Sequence, residues 1–310
     1  MGDPGAFLAA RLERSPFWRT VGFRLESCEA DKVRVCLPYH EGNTTAQTAL
    51  HGGAIAATLD AAASLASWSA APGTPLVGRT LACDVSYLAG ALGEDIFGAA
   101  EVLRRGKEIV YSTARVVNRD GKLLAVANHI HQLTSPDDPP RPPDASTAPM
   151  LHGRTTGGIG ALPPANAALV QRNVDMLRKM DGRMPYMAQL GWTFRAGAFG
   201  YAEFDLPRGG AALGEDGGIA GGALLSAVDH AGSLAAWMTT ELGSRALFGS
   251  TVNTKLHTFA PVIARNCVVR ARAAGGCGGL VHSEVSIASH EGETVAGGST
   301  VYRIVERDRT

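Results

Sequence analysis

The chain carries its own copy. With the numbering shifted by 169, Pro16 meets Pro185, Gly22 meets Gly191, Leu37-Pro38 meets Leu206-Pro207 and Gly52-Gly53 meets Gly221-Gly222. In the same register Asp60 meets Asp229, Ser64-Leu65-Ala66 meets Ser233-Leu234-Ala235, and Trp68 meets Trp237. The match runs from residue 16 to 68 without a gap; a residue or two is then inserted, and Gly121 meets Gly292 at a shift of 171. Ala-rich text can match itself by chance, but chance does not also align the Pro, the Trp and the Asp. The chain is a duplicated domain, and its 310 residues give each copy an ordinary domain size.

Between the copies, Ser135 to Pro164 holds eight of the 16 prolines, the composition of an extended linker. The division is therefore 1–134, linker 135–164, and 165–310. The Gly157-Gly158-Ile159-Gly160 run in the linker is not expected to be a phosphate loop, because no strand precedes it. Each copy starts with a short amphipathic helix, about Ala6–Arg14 and about Ala167–Met180, followed by an extended segment up to the Leu-Pro pair. A loop, a long Ala-rich helix and four strands follow. In the first copy the strands fall near Arg79–Tyr87, Asp95–Arg104, Ile109–Asn118 and Leu123–Leu133. In the second they fall near Leu247–His257, Cys267–Ala274, Val281–Ser289 and Thr294–Val305. Their alternation and β-branched content suit half-buried antiparallel strands. One long helix with a meander of strands predicts an α+β fold in which the sheet wraps the helix.

The totals exclude several classes. Twenty-nine basic and 29 acidic side chains cancel, so no nucleic-acid or membrane surface is expected. Five scattered cysteines without a C-x-x-C pair fit a reducing compartment and offer no structural zinc site. The N-terminal segment carries charges where a signal peptide would be apolar, and no run approaches the ~20 apolar residues that cross a bilayer. A cytoplasmic protein is expected. G-x-S-x-G does not occur, which leaves an α/β-hydrolase without support.

His51 to Trp68 reads HGGAIAATLDAAASLASW, a helix buried on all sides with one carboxylate in it. The pattern L-H-G-G, an Asp seven residues on, D-V-S-Y-L, G-E-D-I and L-R-R-G-K resembles the hotdog-fold thioesterases, and most of all their phenylacetate-pathway (PaaI-like) branch. The resemblance covers residues 16–133 and, more weakly, 185–305. It implies two tandem hotdog domains packed as a pseudo-dimer and an acyl-CoA thioesterase without a cofactor. It also implies an Asn six residues before the His, where this chain has Thr45 with Asn43 and Gln47 nearby; the second copy has Gly214. A Ser or Thr opening the strand after the helix holds the attacking water in such proteins, and Thr80 and Ser250 fall at that place.

Geometry adds an argument of its own. Glycines opening a helix leave N–H groups free at the positive end of the dipole, a cradle for the oxyanion of an attacked thioester. Yet Asp60 lies eight residues beyond Gly52, about 12 Å along the axis, and a general base must stand about 3 Å from its water. Asp60 cannot serve its own helix start. If the two long helices pack antiparallel about a pseudo-two-fold axis, each Asp can face the other helix's glycines. Site A then joins His51, Gly52 and Gly53 to Asp229, with Ser250 on the water. Site B joins Gly221 and Gly222 to Asp60, with Thr80. Site A is favoured because it keeps the full H-G-G, whereas Ala220 replaces the His in site B. His51 is expected to cap or hydrogen-bond rather than move protons, His230 to pack, and Trp68 and Trp237 to be core aromatics. His129 and His131 share a strand face but lack a third ligand, so no metal is expected. Arg104, Arg105 and Lys107 offer charge for CoA phosphates. A free sheet edge leaves room for further association of chains. Two rivals stand: an enoyl-thioester hydratase or dehydratase with His51 facing Asp229, and a non-catalytic acyl-CoA-binding protein.

Overall fold

The computed structural model describes residues 3–45, 48–71, 73–74, 76–136, 164–180, 182–242, 244, 246–260 and 266–306. Helix α1 (Pro4–Arg14) is started by Asp3, which accepts the Gly5 N–H, and by Pro4 in its first turn. A second short helix follows at once: α2 (Pro16–Val21) is capped by Ser15 and stopped by Gly22 at φ 90°. The sequence reading took this stretch as extended. The true extended part is a hairpin, β1 (Arg24–Glu29) and β2 (Lys32–Leu37), turning at Asp31 with φ 64°. The long helix α3 (Gly52–Ser69) comes next, then β3 (Val77–Tyr87), β4 (Ile96–Arg105), β5 (Ile109–Asn118) and β6 (Leu123–Thr134). The second half repeats the order with α4 (Pro164–Met180), α5 (Pro185–Leu190), β7 (Thr193–Ala198), β8 (Tyr201–Leu206) and α6 (Gly221–Trp237). It ends with β9 (Leu247–Thr258), β10 (Cys267–Cys277), β11 (Leu280–Ser289) and β12 (Thr294–Glu306). Most of the expected linker, with its Gly-rich run, lies outside the described residues. Among the described residues no helix is long and apolar enough to cross a membrane.

All twelve strands form one antiparallel sheet in the order β1-β2-β4-β5-β6-β3-β9-β12-β11-β10-β8-β7. The order reads alike from either end, as a pseudo-two-fold requires. The halves join at β3 and β9, where Ala82 pairs with His257, Asp84 with Lys255 and Ser86 with Asn253. Since 84 + 171 = 255, the axis passes through the Asp84–Lys255 pair, whose side chains lie 3.0 Å apart.

Each half wraps its sheet round its long helix, and α3 is buried from Gly53 to Ser69. A helix clad on every side has no need of a polar stripe, which explains its uniform Ala-rich text. The helices α3 and α6 run antiparallel and meet through small residues. A Cβ on Gly53 would stand 2.8 Å from Ser226 Cβ, and one on Gly222 would stand 3.4 Å from Ala57 Cα. Glycine at these two places lets the backbones close up, and that approach brings each helix start to the other helix's carboxylate.

Candidate active site

In site A, Asp229 lies against the start of α3: a Cβ on Gly52 would be 2.7 Å from Asp229 Oδ2. The carboxylate accepts from Thr251 Oγ1 at 2.8 Å and from Thr254 Oγ1 at 3.3 Å. The Gly53 N–H is shared between Asp229 and His51 Nδ1, the latter at 2.9 Å. Burial pushes the Asp229 carboxyl up to about 6, against the pull of those hydroxyl and amide donors. His51 caps α3, stacks on Tyr186 with ring centres 5.0 Å apart, and sets Nε2 3.3 Å from His230 Nδ1. Burial lowers His51 to about 4, and it lowers His230 as well, so both rings are neutral at pH 7. Capping and packing are thus what these two histidines do, as expected.

In site B, Asp60 Oδ1 accepts from Thr80 Oγ1 at 2.6 Å and lies 3.0 Å from His129 Nε2. Oδ2 points to the start of α6, 3.3 Å from where a Cβ on Gly222 would stand. Ala220 sits at the cap position and has no side chain to accept the first amides of α6. Its carbonyl takes the Ala223 and Leu224 N–H groups, leaving those of Gly221 and Gly222 at the helix end. Sequence reasoning weighed His129 only as half of a metal pair. Its contact with Asp60 crosses from sheet to helix, so nothing in the text marks it. His129 and His131 stack at 5.6 Å, and among the described residues no group of His, Cys, Asp and Glu is placed to hold a metal.

Open space lies at site B. A cavity of about 310 Å3 borders Asp60, Thr80 and Gly221, and runs past Ser64 and Trp68 to Leu76, Gly78, Arg79 and His131. Where site A holds His51 and His230, the matching positions of site B are Ala220 and Ala61, at a shift of 169. Ala220, in the place of the capping His, is part of the cavity's lining. A wider depression lined by Pro16, Arg19, Thr20 and Gly210 has no carboxylate in its lining.

Other expected residues fall as follows. The hydroxyl on Asp229 belongs to Thr251, which corrects the choice of Ser250. The strands after the helix follow the 171 register, so Thr80 matches Thr251; they pair with His131 and Tyr302, themselves 171 apart. Ser250 is the next residue along the strand and faces the other way. Asn43 is fully buried, donates to the Val21 carbonyl and accepts from Gln189 Nε2, so it ties the cap loop to α2 and α5 rather than facing the cavity. Thr45 binds the Ala49 carbonyl through its N–H, whereas Gln47 lies outside the described residues. Gly214, with Glu215 and Asp216, lines the cavity of site B. Arg105 donates to the Ser67 carbonyl at the end of α3 and pairs with Asp31, so its charge already has partners. Arg104 and Lys107 are exposed.

Comparisons with known proteins bear on the family and the fold. The family model of the thioesterase superfamily matches residues 47–125, which carry α3, Asp60 and Thr80. The human protein named acyl-coenzyme A thioesterase 13 is 32% identical over 129 residues, 41% of this chain and 91% of that protein. Its mouse counterpart is 28% identical over 111 residues, 35% of this chain and 78% of that protein. Among solved structures, the acyl-CoA thioesterase II TesB2 of Mycobacterium marinum superposes with a TM-score of 0.54 at 14% identity, covering 93% of this chain and 98% of that one. A hot dog-fold protein of unknown function from Alicyclobacillus acidocaldarius gives 0.56 at 15% identity, covering 91% and 96%. The structures share the two-helix, two-sheet-half plan across nearly the whole chain, and the sequence match falls on the helix and strand that build the site: the chain belongs to the thioesterase superfamily and is a thioester hydrolase.

Proposed function

We propose that this chain is an acyl-CoA thioesterase of PaaI-like descent, two tandem hotdog domains divided near residues 134 and 165, and that site B is its working site. The observation that carries this reading is the cavity bordered at once by Asp60, Thr80 and Gly221. An attacking water sits between the Asp60 carboxylate and the thioester carbonyl. Asp60 takes its proton while the new C–O bond forms. Thr80 and His129, both on Oδ1, hold the carboxylate in place. The Gly221 N–H and the α6 dipole stabilise the oxyanion, which is where preorganised donors contribute most. The tetrahedral intermediate then collapses, the C–S bond breaks, and the proton held by Asp60 passes to the departing CoA thiolate. Asp229, enclosed by His51, Tyr186 and two threonines, acts in this reading as a structural counterpart. Arg104 and Lys107 supply charge for the CoA phosphates.

Thiol release over a panel of acyl-CoAs tests the assignment. Asp60→Asn is expected to lower kcat by about a hundredfold or more, as removal of a general base does. Asp229→Asn, with folding checked by its melting curve, is expected to keep turnover within a few-fold of wild type. Loss from Asp229→Asn alone would move the chemistry to site A. With 2-enoyl-CoAs, disappearance of the enoyl absorbance without thiol would identify a hydratase instead.

A further inference from the structure

The cavity of site B is lined by hydrogen-bond donors that have nothing to donate to. Trp18 Nε1 and Trp68 Nε1 are buried without a partner among the described residues, and so is His131 Nε2; all three residues line the cavity. They are themselves at least nine-tenths buried, at 7%, 3% and 2% exposure. An indole N–H can only donate. His131 Nδ1 lies 3.4 Å from Ser64 Oγ, and when that hydroxyl gives its proton to Nδ1, Nε2 becomes a donor too. The wall also has an apolar part in Leu76, Leu224 and Ala260.

The second half of the molecule supplies the control. Trp237 matches Trp68, and its Nε1 donates to Tyr302 Oη at 3.0 Å. His131 stands where Tyr302 stands in the other half, at a shift of 171. The first half has therefore lost the phenol that takes the indole proton, on the wall that borders Asp60. Water can satisfy such donors only until an acyl group displaces it. A hydrocarbon chain would then strand them, and a site built to hydrogen-bond an oxygen discriminates strongly against the analogue that lacks it.

Resting on the assignment of hydrolysis to site B, we propose that the acyl group this cavity takes is a short one bearing an acceptor oxygen beyond the thioester carbonyl, held by Trp68, Trp18 and His131, rather than a plain hydrocarbon chain. The oxygen can come from a hydroxyl, a ketone or a terminal carboxylate.

The test uses the full chain and four acyl-CoAs of equal carbon number: butanoyl, 3-hydroxybutanoyl, 3-oxobutanoyl and succinyl. At least one oxygenated acyl is expected to exceed butanoyl by about tenfold or more in kcat/KM, and Trp68→Phe or Trp18→Phe to shrink that ratio. A gain confined to succinyl-CoA identifies the carboxylate form; a gain with the hydroxy or oxo acyl identifies the neutral form. Butanoyl-CoA turned over as fast as all three others overturns the proposal. Calorimetric binding of the corresponding non-hydrolysable CoA thioethers separates the two readings. A preference for the oxygenated analogues without thiol release from any ester upholds the pocket and sinks the hydrolase assignment. Equal affinities sink the pocket whatever the turnover.

Discussion

At the scale of single residues, the two carboxylates of one duplicated position have been given different surroundings. Asp229 titrates near 6 in the folded chain against an ordinary 3.8, because burial disfavours its charge. The sign follows: a raised carboxyl contributes stability that is fully present below about pH 4 and lost as pH rises through about 6, roughly 3 kcal/mol in all. His51, lowered to about 4, works the other way, contributing above pH 6.5 and failing as pH falls through 4; His131 and His230 shift in the same direction. Asp229→Asn mimics the protonated acid and keeps an oxygen for Thr251 and Thr254. Its melting temperature is expected to exceed that of wild type by several degrees at pH 7.5 and to converge with it below about pH 4. A difference that stayed constant between those pH values would show that folding does not raise the Asp229 carboxyl. Gly221 is the other decisive residue. A methyl there would meet the Thr80 hydroxyl and stand 3.1 Å from Asp60 Oδ1, so Gly221→Ala is expected to cut kcat by about a hundredfold while Gly210→Ala, at the rim of the shallow depression, leaves it unchanged.

At the scale of elements, the two long helices begin differently, and the proposed mechanism uses that difference. His51 caps α3, whereas α6 starts uncapped at Ala220. Ala220→Ser is expected to raise stability by about 1 kcal/mol, as a restored cap does, and to lower turnover by engaging the amides that the oxyanion needs. Denaturant unfolding and thiol release on one preparation would check both; higher stability with unchanged turnover would remove the α6 amides from the mechanism. Much of this scale was legible in the sequence. Both long helices and all eight later strands were placed to within a few residues, because Ala-rich text and period-two alternation report burial directly. The short helices α2 and α5 were missed, since six residues are too few to show a period. Ser250 was chosen over Thr251 because only one inserted residue was counted before this strand, a shift of 170 from Thr80, where 171 applies. The preference for site A did not foresee the cavity for another reason. H-G-G is a local signal, whereas the cavity is lined from several elements far apart in the chain, Trp18, Asp60, Thr80, His131, Ala220 and Leu224 among them.

At the scale of the whole molecule, duplication has replaced a dimer interface by an internal one and freed its centre from symmetry. In a true two-fold dimer the residue on the axis faces itself. Here Asp84 faces Lys255, and Asn253 adds a 2.8 Å hydrogen bond to the same carboxylate. Both charges are half-exposed, so the pair is worth only about 0.2–1 kcal/mol. Asp84→Lys and Lys255→Asp should each lower the melting temperature slightly, and the double exchange should recover it; additive losses would show that the pair does not couple. The consequence reaches beyond stability. A first half that sought a sister first half would bring carboxylate against carboxylate, and two second halves would bring ammonium against ammonium. If chains ever trade halves while folding, the sign at the axis admits the trade only between unlike partners, so a swapped assembly would rebuild the same seam and the same unequal pair of clefts.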